Sequence, residues 1–449
     1  MNKHKAKHTA PSRPAPAPLD GALRLAIDAH QHGRHGEAER RYRAMLGAAP
    51  RHPDALHYLG VLQHQQGRHA DALALIERAL AVAPDYIDAR NNLGNVQKEL
   101  GMAAQAEQSY RAVIAARPGF APAHNNLGVV LKAQQRYADA AEAYRRCLAL
   151  EPAMAEGWIN LGNALRAQDD LQGAMSAYYE AIGLAPQSSE AYRNLGQALL
   201  TSGRHVEALA VYRQWQAQAP DDAAIGHMIA ALAGGAAPAR ASDSYVQTTF
   251  DRFAGSFDEV LTRLDYRAPA LCGALMAELL GAPAAALEVL DAGCGTGLCA
   301  QYLLPYASAL DGVDLSPKML EQAALRHCYR RLEAAELGAW LATQPASYAL
   351  IVAADTLCYF GALGQVAAAA ATALRPGGHF VFTLEETADA AAWPQFRLNP
   401  HGRYSHTEAY ARQMLEQAGL TVVALRHDVL RTELSAPVAG LTVAARLSA

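Results

Sequence analysis

No stretch of the 449 residues is both long and apolar enough to span a bilayer, although about half of them are hydrophobic; a spanning helix needs about 20 consecutive apolar residues. A membrane role is therefore not expected. Positive charge is not in excess either: 39 Lys and Arg face 43 Asp and Glu, a formal net charge of -4. Without a broad basic field to follow a phosphate backbone, nucleic acid is not the expected partner. The six cysteines, Cys147, Cys272, Cys294, Cys299, Cys328 and Cys358, form no C-x-x-C pair, which points to reduced thiols and a cytoplasmic setting. His30, His32 and His35 lie close together, yet no Cys or acid completes a metal motif, so no metal site is expected. Met1 to Pro18 mixes Lys, His, Ala and Pro with no apolar core of a signal peptide and reads as a disordered leader.

What the sequence does have is a period. Proline recurs every 34 residues at Pro50, Pro84, Pro118, Pro152, Pro186 and Pro220. On the same period stand Gly60, Gly94, Gly128, Gly162 and Gly196, and Ala38, Ala72, Ala106, Ala140, Ala174 and Ala208. A third series is Tyr42, Tyr110, Tyr144, Tyr178 and Tyr212, with Ile76 in the one exceptional place. Small residues let antiparallel helices approach closely, proline stops the second helix, and the aromatic is expected to fill the gap between neighbouring repeats. The pattern resembles the tetratricopeptide repeat, with Leu-Gly in the first helix, Ala in the second and the closing Pro. It covers residues 19–222 as six repeats, the first carrying Leu25-Ala26 in place of Leu-Gly, as a capping repeat does.

Beyond Tyr245 the period is lost and short apolar runs alternate with helical stretches, the grammar of an α/β fold. Strands are expected at Leu287–Asp291, Ala309–Asp314, Tyr348–Ala354, His379–Leu384, Thr421–Leu425 and Leu441–Ala445. The expected architecture is thus an all-α repeat solenoid followed by an α/β, Rossmann-like doubly wound domain. Its divisions are a leader over 1–18, a solenoid over 19–222, a helix and linker over 223–244, and the α/β domain over 245–449.

The first of those strands runs into Asp291-Ala-Gly293-Cys-Gly295-Thr-Gly297, and Asp314 ends the next strand. Glycines allow a tight turn and close approach of backbone to a ligand, and an acid one strand later can accept both hydroxyls of a ribose. A dinucleotide site fits less well, because the third glycine of G-x-G-x-x-G would fall at Leu298. Asp291 to Gly297 is instead similar to the first motif of class I S-adenosylmethionine-dependent methyltransferases, and Asp314-Leu315-Ser-Pro-Lys-Met-Leu looks like their second. The resemblance continues through Tyr348 to Asp355 and Leu374 to Leu384, covering residues 245–449. It implies S-adenosylmethionine as cofactor, with Gly293, Gly295 and Gly297 along its methionine half, Asp291 near its ammonium and Asp314 with Leu315 at the ribose. Glu336 and Leu337 would meet the adenine, the alternative for Glu336 being an exposed helix acid.

Methyl transfer asks mainly for in-line positioning and, where the acceptor carries a proton, its removal. Asp355 and Tyr359 follow a strand at the end where open α/β sheets bind ligands. Glu385 follows another, and Arg403, Tyr404 and His406 form a polar cluster before a helix starting near Thr407. Asp355, Tyr359 and His406 are the candidate catalytic residues, His406 as a general base or, alternatively, a helix-start histidine. The counterpart of the Asn/Asp-Pro-Pro-Tyr signature of base and glutamine amino-group methyltransferases is Asp355-Thr-Leu-Cys, which argues against those substrates. The aromatics of Tyr245 to Phe257 suit a helix that packs on the sheet or closes over the cofactor. Repeats and this domain together resemble the predicted bacterial methyltransferases that carry tetratricopeptide repeats.

Immediately before Leu-Gly, the repeats place Asn92, Asn126, Asn160 and Asn194, again 34 apart, with Tyr58 in the first such place. An amide offers donor and acceptor to any peptide unit. The row resembles the asparagine ladder of the O-linked N-acetylglucosamine transferases and implies a polypeptide bound along the concave face; the alternative is that these amides bond between helices and stabilise stacking. The leading expectation is a methyltransferase that recruits a polypeptide along its repeats. A small-molecule methyltransferase with docking repeats, and a cofactor-binding adaptor without turnover, are the other readings.

Overall fold

The computed structural model describes residues 18–448 apart from 221, 236, 388, 434 and 435. Of the expected leader, all but the last residue lies outside the described residues. The chain divides into two compact units, one ending at Ala198 and the other running from Leu199.

Among the described residues the first unit consists of helices joined by short turns. First helices of successive repeats, Pro53–Gln65, Ile87–Glu99, Ala121–Ala133, Ala155–Ala167 and Ser189–Thr201, begin 34 residues apart, and so do the second helices from His35–Ala48 to Leu171–Leu184. The glycine and tyrosine series are two halves of one contact. A Cβ on Gly94, Gly128 or Gly162 would lie 2.5–2.6 Å from Cε1 of Tyr110, Tyr144 or Tyr178, and one on Gly60 would lie 2.6 Å from Ile76 Cγ1. Each aromatic therefore sits on the glycine of its own repeat, where the sequence had suggested a gap between neighbours. Tyr42, Tyr110, Tyr144 and Tyr178 are completely buried.

Every first helix ends in the same turn. The residues at 33, 67, 101, 135, 169 and 203 have φ between 61° and 76°. The next N–H reaches back to the carbonyl five residues earlier, as Arg68 to Gln63, Arg136 to Leu131 and Asp170 to Leu165. This is the left-handed cap that glycine fits best; Gly33, Gly67 and Gly101 occupy it, but so do Gln135 and Asp169.

The second unit holds a nine-stranded sheet made of β1 (Leu287–Ala292), β2 (Ala307–Asp314), β3 (Arg331–Ala334), β4 (Tyr348–Ala353), β5 (Leu374–Glu386), β6 (Phe396–Leu398), β7 (Tyr404–His406), β8 (Leu420–Glu433) and β9 (Ala436–Leu447). Its order is β3-β2-β1-β4-β5-β7-β6, with β9 antiparallel on β5 and β8 antiparallel on β9. The central pairs are parallel. Because β1 has β2 on one side and β4 on the other, the order reverses there, and a crevice opens at the carboxyl ends of β1 and β4. Strand residues alternate between two cores: Val289, Leu350, Val352 and Val381 face one, and Leu290, Ile351, Phe380 and Phe382 the other. Burial on both faces explains why these strands read as continuous apolar runs.

The segment read as helix and linker is built into this unit. In the helix Ala223–Ala233, His227 Nε2 lies 2.8 Å from the Gly402 carbonyl and its ring packs 4.3 Å from Tyr245. The Tyr404 hydroxyl donates to Pro238 O, Ala241 N donates to Tyr359 O, and Gly361 N and Ala362 N donate to Ala239 O. The strap of residues 238–241 is thus stitched to the loop after β4.

Candidate active site

The glycine turn after β1 has three left-handed glycines, Gly293 (φ 72°), Gly295 (φ 54°) and Gly297 (φ 84°). Their surroundings differ. A side chain on Gly293 would strike Thr356, and one on Gly297 would meet Arg326 and Tyr329 at 2.9 Å, whereas Gly295 has nothing nearer than Phe257 at 3.8 Å. Gly293 and Gly295 line a cavity at the sheet's switch point, together with Asp314, Leu315, Glu336 and Leu337. Asp314 is fixed by two backbone donors, Gly295 N at 2.9 Å to Oδ2 and Ser316 N at 2.8 Å to Oδ1; burial pushes its carboxyl above the usual range.

Asp291 and Gly297 do not line the cavity. Asp291 is buried beneath the turn, accepts from the Tyr329 hydroxyl at 2.7 Å, and burial raises its carboxyl to about 7. Glu336 lines the cavity, but its two carboxylate oxygens accept from Gly338 N and Ala339 N and cap the helix Leu337–Ala342. The exposed acid of the alternative reading is therefore a capping acid.

One wall is the segment Tyr245 to Phe257 with its continuation. Phe250, Phe253 and Phe257 touch one another with ring centroids 5.4–6.0 Å apart, and line the cavity with Val260, Leu261 and Leu264. Two acids tie this wall to the motifs. Asp251 accepts from the Ser316 hydroxyl; Asp258 accepts from the Thr296 hydroxyl and pairs with Arg326 at 2.7 Å.

Asp355, Tyr359, Arg403, Arg431 and Glu433 line the same cavity. Asp355 is held in a left-handed conformation (φ 53°). Its N–H donates to Thr383 Oγ1 at 2.8 Å, and both its oxygens accept from Arg431 Nη1 at 2.9 and 3.0 Å. Arg431 also reaches Glu385 and, through Nε at 2.6 Å, Glu433. Arg403 joins the same two acids, Nε to Glu385 at 2.5 Å and Nη2 to Glu433 at 2.6 Å. Burial opposes ionisation of Glu385 and Glu433, but Arg403 and Arg431 outweigh it and bring Glu433 down to about 2. Such a cluster is stable only because each buried charge meets an opposite one at hydrogen-bond distance.

The candidate base His406 is not part of this site. It lies on β7 with no exposed surface, bonded through Nε2 to Gly361 O at 3.1 Å, and burial lowers its imidazole to about 4. The helix start is capped by Thr407 instead, whose hydroxyl accepts from Tyr410 N. Arg431, Glu433, Thr356 and Tyr266 line the cavity and were not singled out in the sequence. Arg431 and Glu433 alternate at the end of β8, a period-two signal in a strand otherwise expected to stop at Leu425.

In the repeats, the amide nitrogen of Asn126 donates to Asn95 Oδ1 (3.1 Å), that of Asn160 to Asn125 Oδ1 (3.2 Å) and that of Asn194 to Asn163 Oδ1 (3.0 Å). Asn92 Nδ2 lies 2.8 Å from His57 Nε2. Each amide nitrogen is spent on the preceding repeat. Among the described residues no group of three or more His, Cys, Asp or Glu is placed to hold a metal ion, and no helix is long and apolar enough to cross a membrane.

A fold that reverses its strand order at a glycine turn, with an acid ending the adjacent strand, suits a methyltransferase domain. Residues 264–425 match the family model of a methyltransferase domain. Tetratricopeptide-repeat models match residues 63–130 and 165–232, and residues 23–87 and 126–189. The chain therefore carries tetratricopeptide repeats followed by a methyltransferase domain. Human methyltransferase-like protein 27 is 42% identical over 90 residues, 20% of this chain and 37% of that protein. The ubiquinone biosynthesis O-methyltransferase of Thiobacillus denitrificans is 29% identical over 31% of this chain and 66% of its own, and the trans-aconitate 2-methyltransferase of Pseudomonas aeruginosa is 35% identical over 25% and 40%. This chain thus spans between about a third and two thirds of those relatives' length.

Proposed function

We propose that the chain is an S-adenosylmethionine-dependent methyltransferase whose acceptor enters the cavity between the glycine turn and the Asp355–Arg431 cluster. The observation that carries this reading is that both line one cavity, so a cofactor at one end and an acceptor at the other would face each other. Gly295 fits the cofactor, since the place of its missing side chain is open to the cavity. Gly293, Gly295, Leu315 and Leu337 would line the cofactor, and Asp314 would accept from its ribose. Bound there, S-adenosylmethionine supplies a methyl group already activated by the positive sulfur. The chain's own part is to exclude water with the Phe250, Phe253 and Phe257 wall and to hold the acceptor. His406 is too deep to take its proton, and Asp355, with lone pairs to spare, is the better placed group.

The repeats serve as a docking module for a protein partner, and the setting is cytoplasmic. With their nitrogens committed between repeats, Asn92, Asn126, Asn160 and Asn194 support stacking first. A polypeptide acceptor along the repeats is a second reading. It is supported by the side-chain oxygens of Asn126, Asn160 and Asn194, to which no hydrogen bond is made among the described residues.

Calorimetric titration of S-adenosylhomocysteine into the full chain and into Asp314→Ala tests the cofactor site. Loss of one charged hydrogen-bond acceptor should weaken binding by at least about tenfold. No binding to the unaltered chain would overturn the reading. Labelled-methyl transfer into fractionated lysate separates the acceptors: label on protein supports the second reading, label in the small-molecule fraction the first.

A further inference from the structure

The acceptor end of the cavity has a charge, and that charge selects what can bind. Three carboxylates, Asp355, Glu385 and Glu433, share two guanidiniums, Arg403 and Arg431. Among the described residues, one negative charge is left without a partner. Neighbouring titratable groups do not cancel it. Burial, helped by Arg403, lowers the His401 imidazole beside Glu385 to about 4 and keeps it neutral. The Cys358 thiol and the Tyr266 and Tyr359 phenols are pushed up by burial and are neutral too. Arg240, which also lines the cavity, is paired with Asp243 at 2.5 Å.

The two carboxylates that line the cavity keep room to accept. Each oxygen of Asp355 receives one hydrogen bond, from Arg431 Nη1, and Glu433 Oε2 receives one, from Arg403 Nη2 at 2.7 Å; a carboxylate oxygen can accept two. Arg431 has already spent Nε, Nη1 and Nη2 on acids, so the free donor of the guanidiniums is chiefly Arg403 Nη1. The same cavity has an apolar wall of Phe250, Phe253, Phe257, Val260, Leu261 and Leu264.

Resting on the reading of this cavity as the methyl-transfer site, we propose that its acceptor is a molecule with an aromatic or branched apolar body that presents a hydroxyl or an amine to Asp355 and Glu433, and that carboxylic acids are excluded as acceptors. The acceptor's lone pair forms the bond to the methyl carbon while the carbon–sulfur bond breaks, its electron pair staying on sulfur to give S-adenosylhomocysteine. The one proton that the hydroxyl or ammonium loses passes to Asp355 and on to solvent.

The test is binding to the full chain saturated with S-adenosylhomocysteine, using three probes of one shape: 2-phenylethylamine, 2-phenylethanol and phenylacetate. A unit charge several ångströms away in a partly buried site should favour the amine over the acid by at least about tenfold, with the alcohol between. Glu433→Gln, which cancels the excess charge, should narrow that preference to less than about threefold, and Arg403→Gln, which deepens it, should widen it. Phenylacetate binding as tightly as the amine, or no probe binding while S-adenosylhomocysteine binds, would overturn the inference alone. Failure of S-adenosylhomocysteine itself to bind would instead overturn the reading on which it rests.

Discussion

Both regions of the molecule contain residues other than glycine in the left-handed backbone region, Asp265, Ala285, His327, Ala346 and Asp355 in the domain and Gln135 and Asp169 in the repeats, and Asp355 differs from the two in the repeats in what holds it. In the repeats, Gln135 (φ 61°) and Asp169 (φ 64°) stand in a turn that Gly33, Gly67 and Gly101 make elsewhere. The turn comes from the hydrogen bonds of the helix end, and the side chain has no part in it. In the methyltransferase domain, Asp355 (φ 53°) carries a carboxylate clamped by Arg431 and an N–H bonded to Thr383. A left-handed residue costs roughly 1–2 kcal/mol. The comparison teaches that strain points to a function where side-chain contacts hold it in place; where only backbone hydrogen bonds do, it marks no more than the end of a helix.

The sharpest way to break this comparison is to unclamp Asp355. Arg431 is 2% exposed and meets Asp355, Glu385 and Glu433. Arg431→Met leaves three acids around Arg403 alone, and removing one partner of a buried ion cluster costs about 3–5 kcal/mol. A urea titration should show that loss in the transition of the methyltransferase domain. A loss under about 1 kcal/mol would mean that the cluster is solvated and that its strain has no support of the kind argued.

A smaller effect concerns a buried histidine in each region. Burial lowers His57, in the repeats, and His406, in the domain, to about 4 from 6.5. Below pH 6.5 the unfolded chain takes up a proton that the folded chain refuses. The stability each lends is therefore complete above pH 6.5 and is lost as pH falls towards 4, by about 2–3 kcal/mol for a fully buried ring. His406→Gln should flatten the domain's stability between pH 6.5 and 4 by that amount, and His57→Gln should do the same in the repeats. If His406→Gln instead changed only turnover, the ring would be a catalytic group after all.

The repeats were legible because each mark in the sequence answers to one local contact. Gly94 meets Tyr110, and Ile76 replaces tyrosine where Gly60 needs a partner. The turn series at 33, 67, 101, 135, 169 and 203 went unread, since two of its six members are not glycine. In the domain, six strands showed as apolar runs, five of them buried on both faces over their centres and the sixth, in β8, half exposed. β3, β6 and β7 did not, because they have three or four residues each and β3 is largely exposed. Of the site, the glycine turn and Asp314 are contiguous motifs and could be read. The Asp355–Arg431 pair spans 76 residues, and no local pattern announces a contact made by β8 folding back against β4 through β9 and β5. His406 misled for a related reason: its place after β5 suggested a site, but β7 pairs alongside the end of β5 and turns the ring into the core.

The smallest expected effect isolates backbone strain from everything else. Gln135 is the helix-end residue whose N–H bonds to Lys132 O while Arg136 N reaches Leu131 O. At the equivalent Gly33, Gly67 and Gly101 an added Cβ would meet nothing within 4 Å, so the cost of a side chain there is conformational and not steric. Gln135→Gly relieves that cost in the folded state and gives back part of it by loosening the unfolded chain. The net should be a gain of about 0.5–1 kcal/mol in the repeats. Asp355→Gly relieves the same strain but strips Arg431 of a partner and should destabilise the domain. Opposite signs in two urea titrations would establish that side-chain contacts, and not the dihedral angle, separate a strained residue that works from one that merely remains. If both changes stabilised, the clamp on Asp355 would contribute less than its strain costs, and the residue's place in the cavity would have to be explained by the reaction alone.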